Sequence, residues 1–391
     1  MANRTLTIIP SVPVWVDGEY YVFDRKFYDG VVLYKKLWLG PVQCVMRISD
    51  EPLPSFGVIK KLIGELSFGL LPLKSMGALR REDVSGSAVV MAAGDSYDQL
   101  HISELCVGAG VKCVYVIEYI PETRYQIVAF ETRSFILKLR RWFFVWNTER
   151  KRLKAFSFCD GIQANGRPAF LQYGKYSDAI EYFDTRVEKN QLITEFELER
   201  RFSYLLAGSP IRLAFSGRLI RMKGVDQLIV VARRLKQWGV PFSLSIYGAG
   251  DLEFEVKAAI YESGLSDCVI LNGAVDFFAK LLPDMKSNVD IFVCLHRQSD
   301  PSCTYMETLA CGVPILGYDN KAFSGIMDIA KVGWLVKMDD SEGVAGVIRK
   351  LSEDRRDIVD KSRAAIVLAR ENYFGSVFDK RVAHLKFIAG E

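Results

Sequence analysis

Residues 211–224 read Ile-Arg-Leu-Ala-Phe-Ser-Gly-Arg-Leu-Ile-Arg-Met-Lys-Gly. The apolar run up to Ser216 predicts a buried strand, and Gly217 allows a tight turn at its carboxyl end. Arg218 and Lys223 follow this turn, just before apolar residues with helical spacing. Ligands of open α/β sheets bind at this edge, and two cations beside a helix N-terminus suit a nucleotide diphosphate without a metal ion. The alternative is a solvated charged loop, because basic residues at loop tips usually face water.

The length of 391 residues predicts about two domains. A net charge of +4 is too small to indicate a nucleic-acid partner. The eight cysteines are scattered without close pairs, which favours buried thiols in a reducing, cytoplasmic compartment. We expect neither a signal peptide nor a transmembrane segment, since no stretch of 18 residues is continuously apolar.

Short apolar strands alternate with helical patterns along both halves of the chain, which predicts α/β architecture with parallel sheets. The run Ala-Gly-Ser-Pro at 207–210 interrupts a charged helical pattern before a fresh strand. We therefore place a domain boundary there, with an N-terminal domain at 1–207 and a C-terminal domain at 208–372. Three turns in the second half carry glycine directly after a strand, at Gly217, Gly248 and Asn272-Gly273. Glycine at this edge lets backbone approach a ligand closely.

Residues 300–314 read Asp-Pro-Ser-Cys-Thr-Tyr-Met-Glu-Thr-Leu-Ala-Cys-Gly-Val-Pro. Asp300 is a good N-cap and Gly312 a good stop, which predicts a helix of about ten residues. The amides of Ser302, Cys303 and Thr304 would then meet the same sheet edge as the two cations. Glu307 on this helix needs donors, which sugar hydroxyls, a backbone group or an arginine could supply.

Glu118 lies near the end of an apolar strand, where a carboxylate is costly unless it is paired or reaches a cleft. Two interpretations are open: Glu118 forms an ion pair with Arg124 or another base, or it has a role in a site.

Residues 134–156 mix seven basic residues with several aromatic ones. Such a segment is typical either of an interfacial helix on an anionic membrane or of an internal helix with buried aromatics and solvated cations.

The motifs Phe-Ser-Gly-Arg-Leu-Ile-Arg-Met-Lys-Gly, Tyr-Gly-Ala-Gly-Asp-Leu, Leu-Asn-Gly-Ala-Val and Met-Glu-Thr-Leu-Ala-Cys-Gly-Val-Pro-Ile occur in this order over residues 211–340. In order and spacing they resemble the donor-binding half of family-4 retaining glycosyltransferases of the GT-B fold. The resemblance implies two Rossmann-like doubly wound domains facing a cleft, with acceptor binding in the N-terminal domain at 1–207 and nucleotide-sugar donor binding in the C-terminal domain at 208–372. It also implies that the last helix, within 373–391, crosses back to the N-terminal domain.

The same resemblance assigns roles to the residues already singled out. Arg218 and Lys223 would hold the donor diphosphate, Glu307 would bind the ribose hydroxyls, and the turn from Asn272 to Val275 would border the base. The amides of 302–304 would meet the phosphate or sugar. Such enzymes usually carry a second glutamate eight residues before the ribose-binding one, a position held here by Ser299. The adjacent Asp300 could replace it, but helix capping is the interpretation that we favour.

Glu118 stands where these enzymes often have a histidine, so it could contact the sugar or the acceptor. The resemblance implies metal-free transfer of a sugar from a nucleotide-diphosphate sugar to a saccharide in cell-surface polysaccharide assembly. We expect this saccharide acceptor to be polyprenyl-linked. A lipid-linked acceptor would bring the protein to the inner face of the plasma membrane. The alternatives are a sugar-nucleotide epimerase of the same fold and a non-catalytic sugar-nucleotide-binding subunit, the latter suggested by Ser299.

Overall fold

The computed structural model describes residues 5–54, 57–132 and 134–391. The strands in these ranges are β1 (Thr5–Ile9), β2 (Trp15–Asp17), β3 (Tyr20–Asp24), β4 (Val42–Arg47), β5 (Val58–Leu62), β6 (Gly69–Leu73), β7 (Ser87–Ala93), β8 (Lys112–Ile117), β9 (Gly161–Asn165), β10 (Asp178–Tyr182), β11 (Ile211–Ser216), β12 (Phe242–Tyr247), β13 (Val269–Gly273), β14 (Ile291–Cys294), β15 (Ile315–Tyr318) and β16 (Gly333–Val336).

The helices are α1 (Arg25–Leu37), α2 (Arg81–Val84), α3 (Ile102–Ala109), α4 (Pro121–Glu131), α5 (Phe135–Phe156), α6 (Arg167–Tyr173), α7 (Glu195–Leu206), α8 (Val225–Gln237), α9 (Glu253–Glu262), α10 (Leu282–Asn288), α11 (Thr304–Ala310), α12 (Lys321–Ile329), α13 (Ser341–Glu353), α14 (Arg355–Glu371) and α15 (Phe374–Ala389). No helix within the described ranges combines the length and the apolar character needed to cross a bilayer.

The chain divides into two compact units. Unit 1 contains the described residues up to Pro121, together with Leu139–Tyr182 and Gly375–Glu391. Unit 2 contains Glu122–Lys138 and Phe183–Phe374. The C-terminal residues expected to return to the N-terminal domain thus lie in unit 1.

Unit 1 is built on a parallel sheet with the strand order β10-β9-β8-β7-β1-β4-β6. The order reverses between β1 and β7, as in doubly wound folds. Strands β2, β3 and β5 form a small antiparallel sheet beside it. Helix α15 docks onto this unit: the Phe378 ring meets the Tyr34 ring at 4.8 Å, and the Gln163 side chain donates to the Arg381 carbonyl.

Unit 2 is built on a parallel sheet with the order β13-β12-β11-β14-β15-β16, which reverses between β11 and β14. Side chains alternate between two apolar clusters along β11. Leu213 and Phe215 join one cluster, and Ala214 joins the other. Successive strand residues point to opposite faces, so this sheet is covered on both sides. The predicted α/β class with two Rossmann-like units is confirmed.

The units divide at Tyr182 and Phe183, whereas the sequence placed the boundary at 207/208. The intervening helix α7 belongs to unit 2 because Leu198 and Phe202 pack into one of its apolar clusters. Its Arg201 guanidinium donates to the carbonyls of Cys311 (2.8 Å) and Gly312. The interruption at 207–210 therefore marks only the end of a helix.

Arg201 supplies a test of this packing. Its side chain is buried and forms no ion pair with a carboxylate of the described ranges, and burial lowers its pKa to about 10. We expect Arg201→Ala to lower the free energy of unfolding by about 3 kcal/mol, because several buried carbonyls lose their donor. Arg200→Ala, at the exposed neighbouring position, should change it by less than about 0.5 kcal/mol. Urea unfolding of both variants measures the difference, and equal midpoints would show that α7 is not anchored through Arg201.

Candidate functional site

Three loops of unit 2 meet where the strand order reverses, at the carboxyl ends of β11, β12 and β14. The Gly217 amide donates to the Tyr247 carbonyl at 3.0 Å, and the Leu219 amide donates to the Ala249 carbonyl at 2.9 Å. The loop after β14 joins them through a 2.9 Å bond from the Arg297 amide to the Met222 carbonyl. These backbone bonds fix the floor of a site at the edge where open α/β sheets bind ligands.

Glycine is required where these loops approach most closely. Gly248 has a φ of +127°, and a Cβ atom there would lie 1.9 Å from the Gly217 carbonyl oxygen. Gly224 has a φ of +72°, and its Cβ would lie 2.0 Å from the Leu295 carbonyl oxygen. No side chain fits at either position, so the sequence pattern of glycines after strands reflects backbone contact between loops.

Lys223 lies in this floor as a buried cation, only 7% exposed. Its Nζ donates to Asp300 Oδ2 at 2.9 Å, and the Gln298 side-chain amide donates to the same oxygen at 2.6 Å. The pair joins the loop after β11 to the loop after β14. An ammonium out of water requires such a partner, since an unpaired buried charge is very costly.

This pairing corrects the prediction that Asp300 caps a helix. Helix α11 begins at Thr304 with Cys303 as its cap residue, and it has seven residues where the sequence predicted about ten. The expected row of available amides is also shorter, because the Ser302 amide donates to the Asp300 carbonyl at 2.8 Å. The ion pair with Lys223 stabilises the fold more than an N-cap hydrogen bond would, because the ion pair neutralises a buried charge whereas a cap satisfies one amide.

Arg218 is an exposed cation of this edge. Within the described residues, no carboxylate pairs with its guanidinium. Its neighbours are occupied: Arg221 pairs with Glu255, and Arg297 pairs with Asp226 and Asp339. An anionic ligand can therefore reach Arg218 without displacing a protein group.

Glu307 is buried on α11 and is paired with an arginine that the sequence argument did not name. Arg186 Nε donates to one Glu307 oxygen at 2.7 Å, and its Nη2 donates to the other at 3.3 Å. The guanidinium also lies 3.9 Å from the centre of the Phe277 ring. Burial opposes the charge of Arg186, but the charge and hydrogen bonds of Glu307 together raise its pKa above the ordinary arginine value. Of the partners foreseen for Glu307, the structure shows an arginine, and its role toward ribose stays a prediction.

The remaining predicted positions of unit 2 lie around this edge. Asn272 is exposed at the end of β13, whose Gly273 carbonyl accepts a 2.7 Å bond from the Gly248 amide. Val275 is partly buried against the core. Thr304 and Glu307 line a small cavity of about 10 Å³. Glu118 lies apart from these residues in sequence and belongs to unit 1.

Glu118 follows β8, and its carboxylate accepts a 3.3 Å bond from the Asn165 side-chain amide. Its backbone amide donates to Asp95 at 2.7 Å. Ser299, at the position of the missing glutamate, is buried, and its amide donates to the Gln126 side chain at 3.0 Å. Ser299 therefore contributes to packing, while the nearest carboxylate, Asp300, serves Lys223.

His296 is a further residue that the sequence argument missed. It follows β14 and is 1% exposed, and neither ring nitrogen has a hydrogen-bond partner among the described residues. Burial, followed by the charge of Lys223, holds its pKa well below the ordinary histidine value. The imidazole is therefore neutral beside the buried lysine. The sequence signal that could have identified His296 is its position just after a strand at the point where the sheet order reverses.

In the described part of the chain, His, Cys, Asp and Glu side chains form no group of three that could hold a metal ion.

Comparisons with known proteins agree with this architecture. A family model described as "Glycosyl transferases group 1" matches residues 197–370. The chain is 29% identical over 190 residues to the amylovoran biosynthesis glycosyltransferase AmsK of Erwinia amylovora, covering 45% of this chain and 43% of that protein. The match thus spans less than half of the curated relative.

Solved structures show the likeness over nearly the whole chain. Anabaena HepE in complex with UDP and glucose superposes with a TM-score of 0.63 at 14% identity, covering 97% of this chain and 98% of HepE. WaaG, a glycosyltransferase involved in lipopolysaccharide biosynthesis, gives 0.61 at 12% identity, covering 99% and 100%. The chain therefore has the GT-B glycosyltransferase fold.

The close approach at Gly248 can be tested by adding a single methyl group. We expect Gly248→Ala to lower the free energy of unfolding by about 2 kcal/mol or more, because the methyl group would overlap a backbone carbonyl. Gly346→Ala is the matched control, since a Cβ at this helical position meets no atom within 4 Å. That control should stabilise the protein by up to about 1 kcal/mol. Chemical unfolding of the two variants gives the comparison, and an unaffected Gly248→Ala would contradict the loop contact.

Proposed function

We propose that this protein transfers a sugar from a nucleotide-diphosphate sugar onto a saccharide acceptor during cell-surface polysaccharide assembly. The observation that carries the proposal is the pairing of buried Lys223 with Asp300 beside exposed Arg218, at the switch point of unit 2. The names of the similar proteins support it, since AmsK is named for amylovoran biosynthesis and HepE is titled with UDP and glucose.

The two cations act on the leaving diphosphate. An ammonium has three donors, so Lys223 can keep Asp300 and still donate to a phosphate oxygen. Arg218 adds a planar guanidinium that can bind phosphate through two hydrogen bonds. Negative charge grows on the diphosphate as the glycosidic bond breaks, and fixed cations in a poorly hydrated site stabilise that charge most.

Ribose recognition involves Glu307 and therefore also Arg186. The Glu307 residue is 7% exposed beneath the Arg186 guanidinium. Ribose hydroxyls reach the carboxylate only when Arg186 shifts aside, which its long side chain permits. Phe277 offers the displaced guanidinium an aromatic face.

The reaction proceeds with retention at the sugar and without a metal ion. His296 is buried and neutral, and we assign it no acid–base role. A donor phosphate oxygen takes the acceptor proton, so no protein base is needed in unit 2. The amides of Cys303 and Thr304 face the phosphate or sugar, and the segment from Asn272 to Val275 borders the base. Glu118 contacts the sugar or the acceptor.

Helix α5 brings the protein to an anionic membrane surface. Its residues up to Phe144 leave aromatic side chains in solvent, with Phe135 71% and Phe143 65% exposed, and its buried residues begin at Val145. This observation disfavours an internal helix with buried aromatics. Arg152 is not one of the cations that face lipid, because it is buried and donates to the Gly94 carbonyl at 2.8 Å. Lys154 pairs with Glu104.

The first test concerns the donor. Nucleotide sugars with different bases and sugars are screened for thermal stabilisation, since a ligand of the folded state raises its stability. Transfer is then assayed in EDTA with the donor that binds. We expect Arg218→Ala and Lys223→Met to lower turnover on the order of a hundredfold, because each removes a cation from the diphosphate.

Controls separate chemistry from folding in this assay. Arg221→Ala removes an adjacent exposed cation that pairs with Glu255, and its turnover should stay near that of the wild type. Lys223→Met combined with Asp300→Asn avoids an unpaired buried carboxylate, and it should be folded yet inactive. Normal turnover in the Lys223 variants, or activity that Mg²⁺ must restore, would contradict the assignment. Product formed without acceptor would indicate an epimerase.

The second test concerns the membrane. We expect the protein to sediment with phosphatidylglycerol vesicles in a salt-sensitive manner, because each basic residue near an anionic leaflet adds about 1 kcal/mol. Arg140→Glu with Lys151→Glu should reduce binding at least tenfold. Lys257→Glu with Arg356→Glu changes the net charge equally at exposed positions of unit 2 and should retain binding. Equal loss in both variants would mean that net charge, and not α5, determines the association.

A further inference from the structure

Helix α4 contacts the loop that follows β14 in unit 2. In the chain the helix comes after strand β8 of unit 1, yet its residues from Glu122 onward belong to unit 2. The Thr123 hydroxyl donates to the Ser299 carbonyl at 3.0 Å, and the Ser299 amide donates to the Gln126 side-chain oxygen at 3.0 Å. Thr123 is 0% and Ser299 is 1% exposed. Water therefore competes little for these bonds.

Ser299 is also held by the first residue of α12. The Lys321 amide donates to the Ser299 hydroxyl at 3.3 Å, so the carbonyl, amide and hydroxyl of this serine all have partners. Because Ser299 is buried, a longer side chain at this position would have to displace the neighbouring elements. The serine that stands in place of the usual glutamate therefore joins one loop to two helices.

An ion pair beside these hydrogen bonds contributes less. Glu122 pairs with Lys321, and the Gln126 side-chain amide donates to Glu122 at 3.3 Å. The Glu122 and Lys321 side chains are 40% and 60% exposed, and exposed ion pairs stabilise a fold only slightly. The hydrogen bonds from Thr123 and Gln126 to Ser299 are therefore the main connection between α4 and the loop.

The loop depends on such outside bonds because several of its own buried polar atoms lack partners. Both ring nitrogens of His296 and the side-chain oxygen of Gln298 are buried without a hydrogen bond among the described residues. Unpaired buried groups raise the free energy of the closed loop. Its backbone is fixed at His296, whose carbonyl accepts a 3.2 Å bond from the Asn320 side chain, and again at Ser299. Without these fixed points the loop would open more readily.

Asp300 follows Ser299 directly, so the fixed backbone at Ser299 determines where the Asp300 carboxylate lies. This carboxylate accepts from Lys223 at 2.9 Å and from Gln298 at 2.6 Å. Lys223 is 7% exposed, and a buried ammonium that loses its carboxylate moves toward water. The position of the Lys223 ammonium therefore depends on contacts that α4 makes.

We propose that Thr123 and Gln126 are positioning residues of the diphosphate site around Lys223. By holding the backbone at Ser299, they keep Asp300 against Lys223, whose ammonium then stays in place for the donor diphosphate. The proposal rests on the proposed function and adds to it residues from outside the strand-and-helix series of the unit 2 sheet. It also explains the serine at 299, since a small buried residue lets α4 reach the loop.

The proposal is tested by the reactivity of Lys223 in the full chain without ligand. Lysines are acetylated with limiting acetic anhydride, and the rate at each lysine is measured by mass spectrometry. We expect Gln126→Met and Thr123→Val to raise the rate at Lys223 roughly tenfold, because a loop that lacks one buried hydrogen bond opens more often. Gln126→Glu keeps the acceptor and Thr123→Ser keeps the donor, so both should retain the wild-type rate.

Ser299→Glu is a second test, because it introduces the residue that similar transferases usually carry. We expect it to raise Lys223 acetylation at least as much as Gln126→Met does, since the longer side chain displaces α4. Ser299→Ala removes only the bond from the Lys321 amide and should have a smaller effect. An unchanged rate in Ser299→Glu would show that the loop does not need a small residue at this position.

Controls separate this effect from a general loss of stability. Leu235→Ala creates a cavity in the apolar cluster on the other face of the sheet, and it should leave Lys223 acetylation unchanged under native conditions. Glu131→Ala changes an exposed residue of α4 itself and should also have no effect. Lys257 is exposed on α9, and its rate should be the same in every variant. If Thr123→Val does not fold, Gln126→Met at its partly buried position still decides.

Inorganic pyrophosphate distinguishes this proposal from the proposed function. It carries the diphosphate charge without a base or a sugar, and it should slow Lys223 acetylation in the wild type. Gln126→Met should need several-fold more pyrophosphate than Gln126→Glu for the same protection, because its competent state is less populated. Absence of protection in the wild type would contradict the assignment of Lys223 to the diphosphate, while the rates without ligand would still test α4.

Three results would overturn the positioning role. The first is a wild-type rate at Lys223 in both Gln126→Met and Thr123→Val. The second is an equal increase in Leu235→Ala, which would indicate general destabilisation. The third is the same rate in Gln126→Met and Gln126→Glu, which would show that the acceptor for the Ser299 amide does not matter.

Discussion

The ion pair between Lys223 and Asp300 is the interaction on which the site of unit 2 depends. A cation stabilises a developing negative charge best where water is scarce, but burying a lone ammonium is very unfavourable. The carboxylate 2.9 Å away balances that charge while no ligand is bound, and it joins the loops that follow β11 and β14. One contact therefore provides both a stable empty site and a cation close to any ligand.

The same principle governs the other buried charge at this edge. Glu307 is neutralised by Arg186, whose chain position lies outside the strand-and-helix series of the sheet. Both of these buried charges are paired, whereas the exposed Arg218 forms no ion pair among the described residues. Arg218 thus adds a positive charge to the surface at this edge, even though the buried charges beneath it are balanced.

Unit 1 uses its own sheet reversal differently. There the switch point holds a polar pocket, and the Gln99 side chain joins the loops that form it. Tyr97 at the pocket rim contacts the ring of Phe144 on α5. Basic and aromatic residues of α5 were recognisable as an interfacial pattern, but the burial of Arg152 shows that the helix is not uniform. Its residues before Val145 lie at the surface, and one side of the helix is buried from Val145 onward.

The sequence by itself determined the strand β11, the alternation of strands with helices and the glycines after β11 and β12, because apolar period and turn chemistry are local properties. It also placed Arg218 and Lys223 correctly at a strand's carboxyl end. Tertiary structure decided the partners. Asp300 serves Lys223 from 77 positions away, and Glu307 takes Arg186 from 121 positions away. Helix α7 joined unit 2 for the same reason, since long-range packing and charge pairing outweigh the local signals of a cap or a linker.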